Sequence, residues 1–187
     1  MWLIINAVLS PNFCAIVSDN GLVKKSIFWE DPKKAGSVIW DFLEKNFSTI
    51  SAIKMAGGIA GPGGFSVLRT TSMILKTLQL EKNCIVCNVD TFSVICMWKE
   101  KKKSAKNFLL TKNTQSVWVV GGEKPVLMEW KTAKKFDATF LNKKTREKFS
   151  LPESQTKPEK NSEWIKIVWK SLKETGKNDF EPQYGES

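Results

Sequence analysis

The apolar segment Ala56-Gly57-Gly58-Ile59-Ala60 runs into a glycine-rich turn, Gly61-Pro62-Gly63-Gly64-Phe65-Ser66-Val67, which opens onto a helical pattern at Leu68-Arg69. A buried strand that empties into glycines and restarts as a helix is the core of a β-α unit. Glycine there lets the backbone turn tightly and lets bare N–H groups approach a phosphate or another protein. Which of those two the turn does is the main functional question the sequence poses.

The order of elements around the turn narrows the fold. Trp2 to Leu9 is almost continuously apolar, as a strand covered on both faces would be. Ser10-Pro11-Asn12 reads as a turn, Phe13 to Ser18 as a second strand, Asp19-Asn20-Gly21 as a hairpin turn and Leu22 to Glu30 as a third strand. Asp31 and Pro32 then supply a cap and a first helical residue. In the helix that follows, Ala35, Val38, Ile39 and Phe42 form one apolar stripe. Gly36, Trp40, Leu43 and Phe47 form a second, about 110° away. Two stripes suit either a second packing partner or a large core. Ile50 to Met55 reads as a strand, Phe65 to Leu80 as a helix, Cys84 to Val89 as a strand and Asp90 to Trp98 as a short helix.

The run Lys99-Glu100-Lys101-Lys102-Lys103-Ser104 reads as a solvated turn and a boundary. The expected domains are therefore residues 1–98 and a reduced lobe at 99–187. In the second lobe, Phe108–Lys112, Val117–Val120 and Val126–Trp130 are candidate strands, with weaker segments between Asp137 and Ser150. Pro152 to Ser162 reads as a loop, Glu163 to Glu174 as an amphipathic helix and Asp179 to Tyr184 as an extended end. The second half looks like a shortened version of the first.

Composition removes several chemistries. The chain has no histidine, so a Ser–His dyad and the commonest zinc ligand are absent. Asp19, Asp31 and Asp41 read as turn and helix-surface residues. Cys84-Ile85-Val86-Cys87 matches CxxC by letter but lies on a strand, where residues three apart point to opposite faces. A shared metal is not expected there, and the cysteines read as core. No apolar run reaches membrane-spanning length. The N-terminus lacks a basic region and a small-residue cleavage site, which predicts a cytoplasmic protein.

The net charge is +10, which suits nucleic acid. Only Arg69 and Arg146 are arginine, however, and lysine lacks the planar fork that reads bases. Weak electrostatic holding of RNA is expected rather than specific reading. The turn lacks the Lys and Ser/Thr a Walker loop places at the helix start, because Phe65 and Ser66 stand there. It also lacks the third glycine of a dinucleotide fingerprint. Arg69 sits in the first two turns of its helix, where the dipole disfavours a cation. That placement suggests a structural or interface clamp on a planar acceptor, with ligand contact as the alternative.

Gly61-Pro62-Gly63-Gly64-Phe65-Ser66-Val67-Leu68-Arg69 resembles the GPGSFTGLR signature of the TsaB (YeaZ) family. Ile50-Ser51-Ala52-Ile53 is similar to the family's strand before the signature, Met1 to Ile5 to its first strand, and Glu181-Pro182-Gln183-Tyr184 to its P-x-Y ending. The resemblance implies an α/β fold of two ribonuclease-H-like lobes, the actin/Hsp70-like architecture, in a divergent and shortened member. It also implies a non-catalytic subunit of the machinery that makes N6-threonylcarbamoyladenosine (t6A) in tRNA. Such a subunit pairs with a TsaD-like catalytic subunit, which holds the ATP and metal, and a TsaE-like ATPase docks on the pair. tRNA would be met indirectly or by weak electrostatic contact. A homodimer is possible when the chain is alone, and no membrane is involved.

Pairing in the family uses the first two helices of the N-terminal lobe. The candidate partner interface is therefore Gly36, Trp40, Leu43, Phe47, Arg69, Ser72, Met73 and Lys76. The sequence departs from the family at Asn6-Ala7, where Asp-Thr is usual, and at Lys112-Asn113-Thr114, where Asp-Ala-Arg is usual. Both carboxylates that would help hold the magnesium of bound ATP are missing. Gly64 replaces a serine of the signature, and Val67 replaces a glycine. The rival readings are an independent nucleotide-binding ATPase of the same fold and a lysine-rich RNA-binding module.

Overall fold

A computed structural model of the protein describes residues 1–102, 107–111, 116–120, 125–133, 138–140 and 161–183. The chain forms two compact units, Met1–Val94 with Lys160–Ser187, and Ile95–Glu159. The expected division into 1–98 and 99–187 is corrected here. The cut falls near the expected place, but the last helix returns to the first unit because its apolar face fits that unit's sheet.

The first unit is built on a six-stranded mixed sheet in the order β10-β5-β4-β1-β2-β3. Strands β1 (Trp2–Asn6), β2 (Asn12–Val17) and β3 (Val23–Trp29) form the antiparallel meander read from the sequence. Gly21 takes φ +83 in its hairpin turn, the left-handed conformation that glycine adopts freely. Strand β4 (Met55–Ile59) joins β1 in parallel, β5 (Ile85–Val89) joins β4 in parallel, and β10 (Lys177–Asn178) closes the edge antiparallel to β5. Every residue of β1 and β2 is buried, as expected of strands covered on both faces.

Helices α1 (Ala35–Lys45) and α3 (Phe65–Lys82) lie on one face of the sheet. Ala35, Ile39, Phe42, Val67 and Leu75 pack there with Leu3, Ile5, Cys14, Ile16 and Ala56 in one core cluster. Helix α6 (Asn161–Thr175) covers the other face with Trp164, Ile165, Ile167, Val168 and Leu172. The last residue of this set lies beside Gly57 of β4, while Thr71 of α3 lies beside Gly58, so consecutive glycines mark the two faces.

The second unit holds a four-stranded sheet in the order β8-β7-β6-β9. Its members are β6 (Asn107–Thr111), β7 (Ser116–Val120), β8 (Val126–Glu129) and β9 (Ala138–Phe140), with the short helix α5 (Trp130–Ala133) after β8. An antiparallel meander is followed by a strand parallel to its first member, which repeats the pattern of β1-β2-β3 and β4. The repeat that was faint in the letters is therefore explicit in the topology, and the fold is the expected α/β class with mixed sheets flanked by helices.

Several sequence expectations change. Ile50 to Met55 is not a strand, because helix α2 (Phe47–Ile50) and a further helical turn occupy most of it. Ser51 and Ile53 donate backbone hydrogen bonds to Phe47 and Ile50. The strand starts at Met55 and includes the glycines that the sequence reading placed beyond it. The Asp31–Pro32 cap opens a 3-10 turn, Pro32–Lys34, with the Lys33 N–H donating to Asp31 Oδ1 at 3.1 Å. Helix α4 (Thr91–Lys102) continues through the first lysines of the run read as a turn. Residues 103–106, the 112–114 departure, most of Asp137–Ser150, the Pro152–Ser162 loop apart from its last two residues, and Tyr184 lie outside the described residues.

Cys84 and Val86 belong to the cluster under α3, whereas Cys87 Sγ lies beside Gly57 on the α6 face. The CxxC letters thus point apart, as strand alternation requires. Burial raises the Cys14 and Cys84 thiols above their ordinary range. Burial, helped by the neighbouring Cys84, pushes Cys87 up to about 11. All three thiols should stay unreacted with a disulfide reagent at pH 8 until the chain is unfolded by urea.

Phe180 is fully buried in the α3-side cluster against Gly58. Phe180→Ala should lower unfolding free energy by about 3–5 kcal/mol, read from a shifted urea midpoint at unchanged slope.

Candidate interaction surface

Helices α1 and α3 run side by side in the same direction. Gly36 of α1 faces Thr70 of α3, whose methyl group would lie 3.6 Å, an ordinary contact distance, from an added Cβ. Further along, the Lys82 ammonium at the end of α3 sits 5.1 Å from the centroid of the Phe47 ring in α2. Trp40 lies one turn after Gly36, and Met73 one turn after Thr70, so helical geometry sets both along the outer side of this seam. Trp40 is 63% exposed, Phe47 66%, Met73 62% and Leu80 81%. A tryptophan of α1, a phenylalanine at the start of α2 and two flexible apolar side chains of α3 are thus exposed along this seam. Such a group is more than the scattered apolar exposure of an ordinary surface.

The expected interface residues separate into two sets. Trp40, Phe47, Arg69, Met73 and Lys76 are exposed, and Ser72 is half-buried. Leu43 is buried in the core under α1, which corrects its place in the list. Gly36 serves the contact between the two helices. Phe47 leaves the α1 stripe because the chain breaks at Asn46, whose side-chain amide donates to Phe42 O at 2.7 Å. Phe65 and Leu80 are exposed residues of α3 that the sequence reading did not place on this face.

The glycine turn positions the start of α3. Gly64 is the extended residue before the helix, and Leu68 N–H donates to its carbonyl at 3.0 Å. The carbonyls of Ala60, Gly61 and Pro62 accept in turn from Gln183 N–H at 2.6 Å, Thr91 N–H at 2.7 Å and Thr91 Oγ1 at 3.1 Å. Gly61 takes φ +114, and a Cβ on it would collide with the Gln183 carbonyl oxygen. A Cβ on Gly63 would come within 2.8 Å of Val8. Thr91 and Val8 had no role in the sequence reading, and Gln183 entered only as part of the P-x-Y ending, because their partners are distant in the chain. The turn is held as a packing joint, with Gly64, Phe65 and Ser66 facing solvent.

Asn6, which the resemblance to the TsaB family sets where a carboxylate was expected, ends β1 and is fully buried. Its Nδ2 donates to the carbonyls of Leu9 at 2.8 Å and Pro11 at 3.0 Å. Its Oδ1 accepts from the N–H groups of Val8 at 3.2 Å and Leu9 at 3.0 Å. All four hydrogen-bonding positions of the amide bracket the β1–β2 turn. Magnesium needs an open oxygen ligand, so this residue does not fit the magnesium of a bound ATP. Among the described residues no group of three or more His, Cys, Asp or Glu side chains is placed to hold a metal ion.

Arg69 is exposed on α3, and among the described residues it has no hydrogen-bond or ion-pair partner. The expected clamp is therefore not closed within this part of the chain. Asp19 pairs with the N-terminal ammonium at 3.1 Å, in keeping with a turn residue. No helix among the described residues is long and apolar enough to cross a membrane.

No protein-family model matches the sequence, and no curated protein sequence matches it. Solved structures do match. The pairing order of the sheets and the helices on both faces of the first one define an α/β fold of mixed sheets. Within that class the fold is YeaZ-like. Two structures from Pseudomonas aeruginosa, one described as YeaZ and one as an uncharacterized protein with similarity to the peptidase YeaZ, superpose with TM-score 0.64. Each match covers 98% of this chain and 98% of the other at 12% sequence identity.

The Asn6 bracket makes a sharp test. In Asn6→Asp, a buried carboxylate would face two carbonyl oxygens and lose both donated hydrogen bonds. Its pKa would rise above the unfolded value, so the variant's stability falls as pH rises. The expected loss is about 3 kcal/mol at pH 7, shrinking toward pH 4, read by urea denaturation across that range.

Proposed function

We propose that this chain is a non-catalytic TsaB-like subunit that supports t6A formation in tRNA by binding and activating a TsaD-like catalytic subunit. The reading is carried by the exposed Trp40–Phe47–Met73 surface on the α1–α3 pair, in a fold that is YeaZ-like along its length. Buried aromatic anchors dominate protein–protein binding energy, and exposed ones on a rigid helix pair are prepared for that role. In this reading the exposed Arg69 guanidinium meets a carboxylate or carbonyl of the partner.

Asn6 supports assigning the ATP and metal to the partner rather than to this chain. It also weighs against an independent ATPase of the same fold. A TsaE-like ATPase docks on the assembled pair, and the complex works in the cytoplasm.

The test is gel filtration of the chain with the TsaD-like protein of its own source. A stable complex is expected, and Trp40→Ala should weaken it by about 30-fold, a loss near 2 kcal/mol. The same substitution should leave the urea midpoint almost unchanged, because the side chain is exposed. Absence of a complex with the wild-type chain would falsify the reading.

A further inference from the structure

The face of α6 that points away from the sheet has a different chemistry from the α1–α3 seam. Trp164, Ile165, Ile167, Val168, Ser171 and Leu172 turn inward. Lys166, Lys170 and Lys173 are exposed, and their four- and three-residue spacing stacks them on one stripe. Lys177, exposed in β10 just beyond the helix, falls next in the same spacing. The stripe from Lys166 to Lys173 is about 10 Å long at the helical rise. Two acids flank the stripe: half-buried Glu163 in the first turn, and exposed Glu174, which pairs with Lys170 at 3.5 Å. The Lys173 ammonium lies 5.1 Å from the centroid of the Trp169 ring, which props the charge outward on an apolar support.

No large hydrophobic side chain of α6 is among the strongly exposed ones of the described residues. A protein partner would be expected to find an aromatic or aliphatic anchor, as it does on the opposite face. A phosphate backbone needs none. Compact ammonium groups on flexible stems bind phosphates as point charges without reading sequence. From these contrasts we infer that the α6 lysine stripe is a contact surface for the phosphate backbone of RNA. The inference rests on the proposed function only for naming that RNA as tRNA. Because α6 and the α1–α3 pair lie on opposite faces of one sheet, RNA and protein partner can be held together without competing.

Binding of an unmodified tRNA to the full chain, followed by fluorescence anisotropy from about 20 to 200 mM salt, tests it. The K166E/K170E/K173E variant should bind at least tenfold more weakly at the lowest salt and flatten the log–log salt slope by roughly 2 to 3. The K45E/K54E/K82E variant carries the same net charge, with the reversals placed at exposed lysines outside α6. It should stay within about threefold of wild type. Equal loss in both variants, or unchanged binding in the α6 variant, overturns the assignment. Capture of polyglutamate as tightly as tRNA also overturns it, in favour of an acidic protein partner. The α6 variant should still form the complex with the TsaD-like protein. Loss of the protein complex in the wild type with retained α6-dependent tRNA binding would sink the proposed function and leave this inference standing.

Discussion

The two glycines at the centre of β4 are the constraint on which the first unit depends. β4 lies between β1 and β5, so both its faces must be covered. A Cβ on Gly57 would come within 2.8 Å of Cys87 Sγ and 3.0 Å of Leu172. A Cβ on Gly58 would come within 2.8 Å of Ile5 O and 3.2 Å of Thr71. With no side chains there, α6 and α3 sit down on the sheet from opposite sides. Dense interiors cannot absorb even one extra methyl group without shifts, so these positions set the spacing of both layers.

That three-layer arrangement separates two surface chemistries. The seam of α1 and α3 shows aromatic and flexible apolar groups, while α6 shows lysines over a fully inward apolar face. Each helix spends its apolar stripe on the sheet, so what remains outside is free to specialise. On α1 and α3 the remainder is unusually hydrophobic, with Trp40, Met73 and Leu80 where a solvated face would carry charge. The +10 charge of the chain is therefore not the property of one uniform surface.

Much of this was legible in the sequence, because local pattern and tertiary role agreed. The meander, the glycine turn, both α3 and α6, and the opposed faces of Cys84 and Cys87 follow from periodicity alone. The failures share a cause. Ile50 to Ile53 has β-branched letters but takes helical turns, since the backbone bonds back to Phe47 and Ile50 outweigh weak strand propensity. Leu43 and Phe47 part company because Leu43 faces the core within α1, whereas the break at Asn46 takes Phe47 off that helix and leaves it exposed. The role of Asn6 was legible only as a missing carboxylate. Its four hydrogen bonds within the turn could not be seen without knowing where residues 8 to 11 go. Gln183 and Thr91 reach the glycine turn across long stretches of chain, where pattern carries no signal.

The return of residues 161–183 to the first unit has a kinetic consequence. The first sheet gains its second covering layer, its β10 edge, Phe180 and the Gln183 bond only after the whole second unit has left the ribosome. Until then, the α6 face of β1, β2 and β4 is an uncovered apolar surface on a nascent chain. Contacts of such long sequence separation slow folding and lengthen exposure to aggregation. The second unit is thus an obligatory interval in the making of the first, and the time needed to synthesise it sets how long that surface stays bare.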